Sequence, residues 1–203
     1  MDPERCVFHA RTRHNADARA LHPLSALERT DPRAFAAAVA KYDDTPERQR
    51  LRETRVPVLE ATWTEVVFLS PVQPRAIWEA WRSIAGIELP GQEFWAIPVE
   101  ELGPAVVFDR HLSRTGDPID PEEVEAFDAA TYRSSAETTP RNAQWIDELA
   151  RAGRRGAWFN GTPQVLTKNP VPLRSAEVID WRPTRLRGQA RGRRSDRVVR
   201  DHG

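Results

Sequence analysis

Hydrophobic positions in this chain fall in short, well-punctuated runs, and the best defined lies in residues 64–85, TEVVFLSPVQPRAIWEAWRSIA. Val66, Val67, Phe68 and Leu69 form an unbroken apolar run, which predicts a buried strand. The Ser70-Pro71 and Gln73-Pro74 pairs end it, because proline cannot donate to a strand ladder. Pro74 suits the first turn of a helix, where its missing N–H would be unpaired anyway. Ile77, Trp78, Trp81, Ile84 and Ala85 follow at helical spacing and predict one broad apolar face. Strand, polar corner and amphipathic helix together can present backbone and hydroxyl groups to a ligand, and serve equally often as plain architecture.

The same reading extends along the chain. Val7, Phe8 and His9 predict a short first strand, and the polar residues 11–24 a loop. Asp31-Pro32 predicts a capped helix start, with Phe35, Val39 and Tyr42 on one face and Ala36, Ala37, Ala38 and Ala40 adding propensity. Asp43 to Pro46 stop that helix, and charged residues 47–52 suggest another helical turn. Residues 56–59 predict a short extended segment. Gly86 ends the helix begun at Pro74, and strands are expected over 93–99 and 106–108. Asp120-Pro121-Glu122-Glu123 repeats the capped helix start, followed by Val124 and Phe127. Pro140 opens a further helix with Trp145, Ile146 and Leu149 inward, broken at Gly153 to Gly156. Residues 157–159, 164–166 and 176–181 read as three short strands. No regular alternation of strand and helix is present, so the expected fold class is α+β: a single domain over 5–181, with a small mixed or antiparallel sheet flanked by helices.

Charge changes this picture at one end. The 203 residues carry 30 basic and 30 acidic groups, yet residues 182–203 alone hold 8 Arg and 2 Asp. The remainder has a net charge of −6, so an acidic body precedes a basic tail expected to be disordered. An acidic body argues against nucleic acid as a partner except through the tail, since phosphate contacts need clustered Lys or Arg. Cys6 is the only cysteine, which excludes a disulfide framework and any zinc site with two thiolates. No run reaches signal-peptide or membrane-span length, so a cytoplasmic protein without a membrane partner is expected. The abundance of Arg, Ala and Pro beside only two Lys, Lys41 and Lys168, has the look of a high-GC bacterial coding sequence.

P-loop, GxGxxG, GxSxG, HExxH and paired-cysteine motifs are all absent. Lys41 and Tyr42, the step RVPVL, the run WTEVVFLSPVQP and the later TPQVLTKNPVPLRSAEVIDW resemble motifs of a group of small uncharacterised bacterial proteins. These motifs cover about half the chain, and the group has no assigned activity to carry over. More faintly, VFHART, VFLSP and PQVLTK resemble the three strand motifs of ADP-ribosyltransferase-like families. That resemblance implies an ADP-ribosyltransferase-like core with NAD as cofactor. It matches His9 to the residue that hydrogen-bonds the nicotinamide ribose, Ser70 to the one beneath the nicotinamide, and Gln164 to the one that orients the ribose or acceptor. Two positions depart from the pattern: Thr12 stands three residues after His9 rather than two, and Gln164 replaces the Glu that most transferases use. An altered or lost activity is the consistent version.

Each of these residues also has an ordinary reading. His9 can be a satisfied structural histidine, Ser70 a strand terminator and Gln164 a loop residue. Glu65, in an otherwise apolar run, either faces solvent or is buried with a shifted pKa, and in the second case is a catalytic candidate beside Gln164. Arg48, Arg50, Arg52 and Arg55 read as a solvated face paired with Glu47 and Glu53. His14, Asp17 and His22 match no metal spacing. Most of the seven Trp belong to packing, with one or two left to line an aromatic pocket. The leading expectation is a nucleotide-like or NAD-like ligand held in a cleft formed by His9, Ser70 and Gln164. The alternatives are a non-catalytic protein-interaction domain and, last, nucleic-acid binding through the tail.

Overall fold

The computed structural model describes residues 1–183, and the expected tail lies, from residue 184 on, outside the described residues. Strand β1 (Cys6–Ala10) leads to the two-residue β2 (Ala20–Leu21) and then to three short helices, α1 (Leu24–Thr30), α2 (Pro32–Val39) and α3 (Pro46–Leu51). A small hairpin, β3 (Arg55–Val56) and β4 (Ala61–Thr62), precedes β5 (Val67–Leu69) and the long helix α4 (Pro74–Ile84). Strands β6 (Glu93–Pro98), β7 (Ala105–Phe108) and β8 (Val124–Ala126) follow. Helix α5 (Pro140–Arg151) and the strands β9 (Gln164–Thr167), β10 (Val171–Pro172) and β11 (Glu177–Asp180) complete the order. The fold is α+β.

Two antiparallel sheets carry the architecture, one in the order β1-β6-β11 and the other β5-β9-β7-β8. Among the described residues a backbone bridge joins them. The Phe8 N–H donates to the Ser70 carbonyl at 2.9 Å, and the Ser70 N–H returns to Phe8 at 2.7 Å. Beyond this bridge the sheets diverge. β1 runs on beside β6, while β5 pairs with β9 so that Leu69 faces Val165. The divergence brings the end of β1, the residue after β5 and the first residue of β9 to the mouth of one gap.

Helix α4 forms because Pro74 fills its first turn and because the apolar residues recur on one face, burying Ala76, Ile77, Trp78, Ala80 and Trp81. Ile84, expected on that face, is instead 40% exposed. Gly86 closes the helix at φ +64, a conformation most side chains avoid, and lets the Ile87 N–H reach back to Trp81. α4 packs with α5 around Phe94, Ile146, Leu149 and Trp181. A second cluster, with Val7, Leu69, Ile97 and Val165, fills the space between the sheets, and a third lies around Val106, Phe108 and Leu166.

Several elements depart from the pattern-based expectation. The two-residue strand β2 lies within the polar segment 11–24 read as loop, and α1 begins at that segment's last residue. Residues 120–123 form only one 3-10 turn, after which Val124 enters strand β8 opposite Phe108 rather than continuing a helix. The Asp120 cap is present, but the Glu123 side chain is drawn into the 111–113 loop and Val124 favours the ladder. Residues 157–159 are a turn, not a strand, with Ala157 at φ +45. Residues 56–59 close a hairpin, with the Leu59 N–H bonded to the Pro57 carbonyl across Val58.

Candidate functional site

His9, Ser70 and Gln164 line one cavity of about 190 Å³ at the gap between the sheets, walled by Phe68, Phe94 and Phe159. His9 lies one residue past the bridge that joins the sheets, and its Nδ1 sits 2.9 Å from the Phe68 carbonyl oxygen. A carbonyl only accepts, so this contact needs the proton on Nδ1. The Ser70 hydroxyl donates to the Val72 carbonyl at 2.9 Å and accepts the Val72 N–H at 3.0 Å. Its single proton is therefore spent on shaping the corner before Pro74, and what it offers a ligand is bulk and one remaining lone pair.

Gln164 opens the strand β9 and is not a loop residue. Its Oε1 is buried without a hydrogen-bond partner among the described residues. A buried, unpaired acceptor costs about 1–3 kcal/mol, so the position carries a strain that a donor from a ligand would relieve. Gln164 also borders two larger cavities. One, about 420 Å³, is lined by Trp63, Arg110, Arg141, Asn160 and Thr162 among others. The other, about 550 Å³, is lined by His9, His14, Asn15, Tyr42, Trp63 and aliphatic residues including Leu21, Leu24 and Leu27. Gln164 thus borders all three spaces, which lie side by side as the candidate cleft.

The wall beside Gln164 is built by α5. Thr139 caps that helix, accepting the Asn142 N–H, and its hydroxyl donates to the Gly161 carbonyl at 2.7 Å. Asn142 is fully buried; its Nδ2 donates to the carbonyls of Trp158 and Asn160 at 2.8 and 2.7 Å, and its Oδ1 accepts from the Thr138 hydroxyl at 2.6 Å. These bonds hold the 157–162 turn against the helix. Gly161 sits at φ +81, where a Cβ would come within 3.0 Å of the backbone of Arg141 and Asn142, so the close approach needs glycine. The turn then delivers Thr162, Pro163 and Gln164 to the cleft.

Glu65 lies elsewhere. It ends a 3-10 turn, Trp63–Glu65, rather than sitting within the strand. Its carboxylate accepts the Thr62 N–H at 2.7 Å and the Thr62 hydroxyl at 2.9 Å, a reciprocal cap of that turn. The same Thr62 backbone and side-chain bonds hold its pKa below the usual carboxylate value. It is exposed and outside the lining of the central cavity, where no residue is a carboxylate.

The opposite end of the cleft is organised by Glu123, which composition and spacing did not single out. Only 2% exposed, it accepts the N–H groups of His111, Leu112 and Ser113 at 2.6, 2.6 and 2.9 Å, and the Ser113 hydroxyl as well. Burial alone would raise its pKa, but the Ser113 hydroxyl and these backbone donors outweigh it and hold the carboxyl at about 2. The knot fixes the loop after β7, which carries Arg110. Asp120 and the proline after it could have flagged only the turn, not this burial. Among the described residues no group of His, Cys, Asp and Glu is placed to hold a metal, and no helix is long and apolar enough to cross a membrane. The Arg-rich face is paired at the surface, with Arg48 to Asp44, Arg50 to Glu47, Arg52 to Asp43 and Arg55 to Glu60.

No family model matches the chain, and searches of curated proteins and of solved structures give no match.

Proposed function

We propose that the protein binds a nucleotide or an NAD-like ligand in the cleft between its two sheets. One observation carries this reading: three residues far apart in sequence, His9, Ser70 and Gln164, line a common cavity, and Gln164 borders two larger ones as well. A long, mostly apolar cleft with a few convergent polar groups is the usual form of a small-molecule site. Trp63, Tyr42 and the aliphatic residues of α1 suit a planar ring, and Gln164 supplies amide groups at the centre.

Binding is favoured over a transfer reaction. The central cavity holds no carboxylate to polarise a ribose, and Glu65 is committed to its turn. An ADP-ribosyltransferase-like core therefore enters as a ligand-binding frame, with Gln164 orienting a ribose rather than activating it.

The test is a thermal-shift titration of the full chain with NAD, ADP-ribose and a panel of mononucleotides. A ligand at 100 times its Kd adds about 2.7 kcal/mol to stability. A rise in Tm that falls away in His9→Ala and Gln164→Ala is the expected result. No rise with any of them at millimolar concentration would overturn the proposal and shift the weight to a protein-interaction role.

A further inference from the structure

At the Arg141 end of the cleft stands a cation that no described carboxylate contacts, with Glu123 and Asp117 acting on it only through space. Arg110 is half-buried in the 420 Å³ cavity, and it makes no salt bridge to any described residue. Its Nη2 is buried and donates to nothing among the described residues. The guanidinium lies over the rings of Trp63 and Phe108, at 5.4 and 5.3 Å from their centroids. Stacking orients the planar fork, but it leaves the buried Nη2 donor unsatisfied. A buried donor with no acceptor is costly to keep, which singles out the position.

Asp117, exposed, acts on Arg110 without touching it, and the other carboxylates nearby are engaged elsewhere. Glu123 spends its oxygens on the 111–113 loop, and Asp109 is paired with Arg141. Glu148, at the cavity wall, accepts from the Gln144 amide at 2.9 Å. Arg141 meanwhile donates from Nη1 to the Arg110 carbonyl at 2.8 Å, so the backbone beneath Arg110 is fixed from both sides, by Arg141 and by the Glu123 knot. Burial pulls the Arg110 pKa below its ordinary value, as desolvation must, yet a guanidinium stays charged throughout the physiological range.

We propose that Arg110 is the anion anchor of this cleft, its free guanidinium N–H groups taking phosphate oxygens of the ligand while the planar ring lies at the far end, beyond Trp63. The orientation of the ligand rests on the nucleotide reading above; the anion site itself does not. Arginine meets phosphate with two parallel, charge-assisted hydrogen bonds, and the aromatic platform pays part of the ordering cost in advance.

The experiment is isothermal titration of the full chain with pyrophosphate, ADP-ribose and adenosine, for the wild type, Arg110→Met and Arg110→Lys. Methionine keeps an apolar stem over Trp63 and removes the charge; lysine keeps the charge and removes the planar fork. The wild type is expected to bind ADP-ribose more tightly than adenosine, with an affinity that falls as salt is raised. Arg110→Met should lose about tenfold or more for ADP-ribose and all measurable pyrophosphate binding, while adenosine affinity stays within about twofold. Arg110→Lys should fall between them, which keeps the test decisive should the methionine variant fail to fold. Pyrophosphate and ADP-ribose binding unchanged in both variants, or no binding of either by the wild type, would overturn the anchor. Adenosine binding that persists in that case leaves the nucleotide reading intact. Arginine-dependent pyrophosphate binding without adenosine or ADP-ribose binding supports the anchor and removes the nucleotide.

Discussion

The two long sides of the cleft are held by different forces. On one side α5 lines the cleft and is backed by α4, the pair enclosing Trp81, Ile77 and Ile146 fully, and the turn that carries Gln164 is tied to α5 through Asn142 and Thr139. On the other, α1 buries no residue, α2 only Val39 and α3 only Leu51. Leu24 and Leu27 of α1 line the cleft without being enclosed. Close packing gives a wall its rigidity, and helices with few buried contacts open locally at low free energy. The molecule thus sets a firm wall with its polar groups in fixed positions against a thinner apolar cover, an arrangement in which the cover can adjust to a ligand and the wall cannot.

The sharpest way to break this contrast is to truncate one residue on each side. Trp81→Ala on the firm wall should lower stability by about 3–5 kcal/mol, measured by denaturant unfolding. Leu27→Ala on the cover should cost about 1 kcal/mol or less, since that side chain keeps part of its exposure in the folded state. Equal losses would mean that the cover is as tightly built as the wall.

Asn142 and Glu123 test the polar supports at intermediate size. Asn142→Ala leaves the carbonyls of Trp158 and Asn160 and the Thr138 hydroxyl without their partner, and should cost about 2–3 kcal/mol. It should also weaken any ligand that shifts the Tm of the wild type, because the 157–162 turn is what places Gln164. Glu123 gives a pH signature. Its folded pKa of about 2 lies below the ordinary 4.5, so the unfolded chain binds more protons in that interval. The stabilisation is present above pH 4.5 and lost as pH falls toward 2, an effect on the order of 3 kcal/mol. Glu123→Gln should be less stable at neutral pH and should flatten the acid limb of the stability curve. An unchanged acid limb would show that the loop carrying Arg110 is not held by this carboxylate.

Elements defined by local chemistry were legible in advance. Pro74, Asp31-Pro32 and Pro140 start helices where these prolines predict, and the apolar runs at 66–69 and 106–108 supply strands. The elements that were misread depend on tertiary partners. Residues 157–159 have strand-like composition, but Trp145 and Asn142 hold the Ala157 and Trp158 carbonyls in a turn, and Asp120-Pro121 has a helix cap whose Glu123 is consumed by a loop ten residues away. Of the candidate residues, His9, Ser70 and Gln164 meet because the two sheets are bridged at Phe8 and Ser70, which no spacing along the chain reveals. Glu65 was conspicuous as a charge among apolar neighbours, and the structure gives it a cap instead. Arg110 drew no attention, since one arginine among many has no pattern until its partners, or the lack of them, are known in space.

The smallest effect belongs to the surface of the cover. Arg52 pairs with Asp43 at 2.8 Å and Arg48 with Asp44 at 2.6 Å, and these four side chains are all more than a third exposed. Exposed pairs contribute little because water screens the charges and two long side chains must be ordered to form them. Arg52→Ala should therefore change stability by about 0.5 kcal/mol or less, and raising the salt concentration should remove even that. If α1 to α3 owe their position to apolar contacts at Val39, Leu51, Leu24 and Leu27, this variant will leave hydrogen exchange in α1 and α2 as it was, and a ligand filling the aliphatic end of the cleft will slow it. A large loss from Arg52→Ala, or exchange in α1 that no ligand alters, would place the hold on these helices in their charges rather than in the thin apolar seam over the cleft.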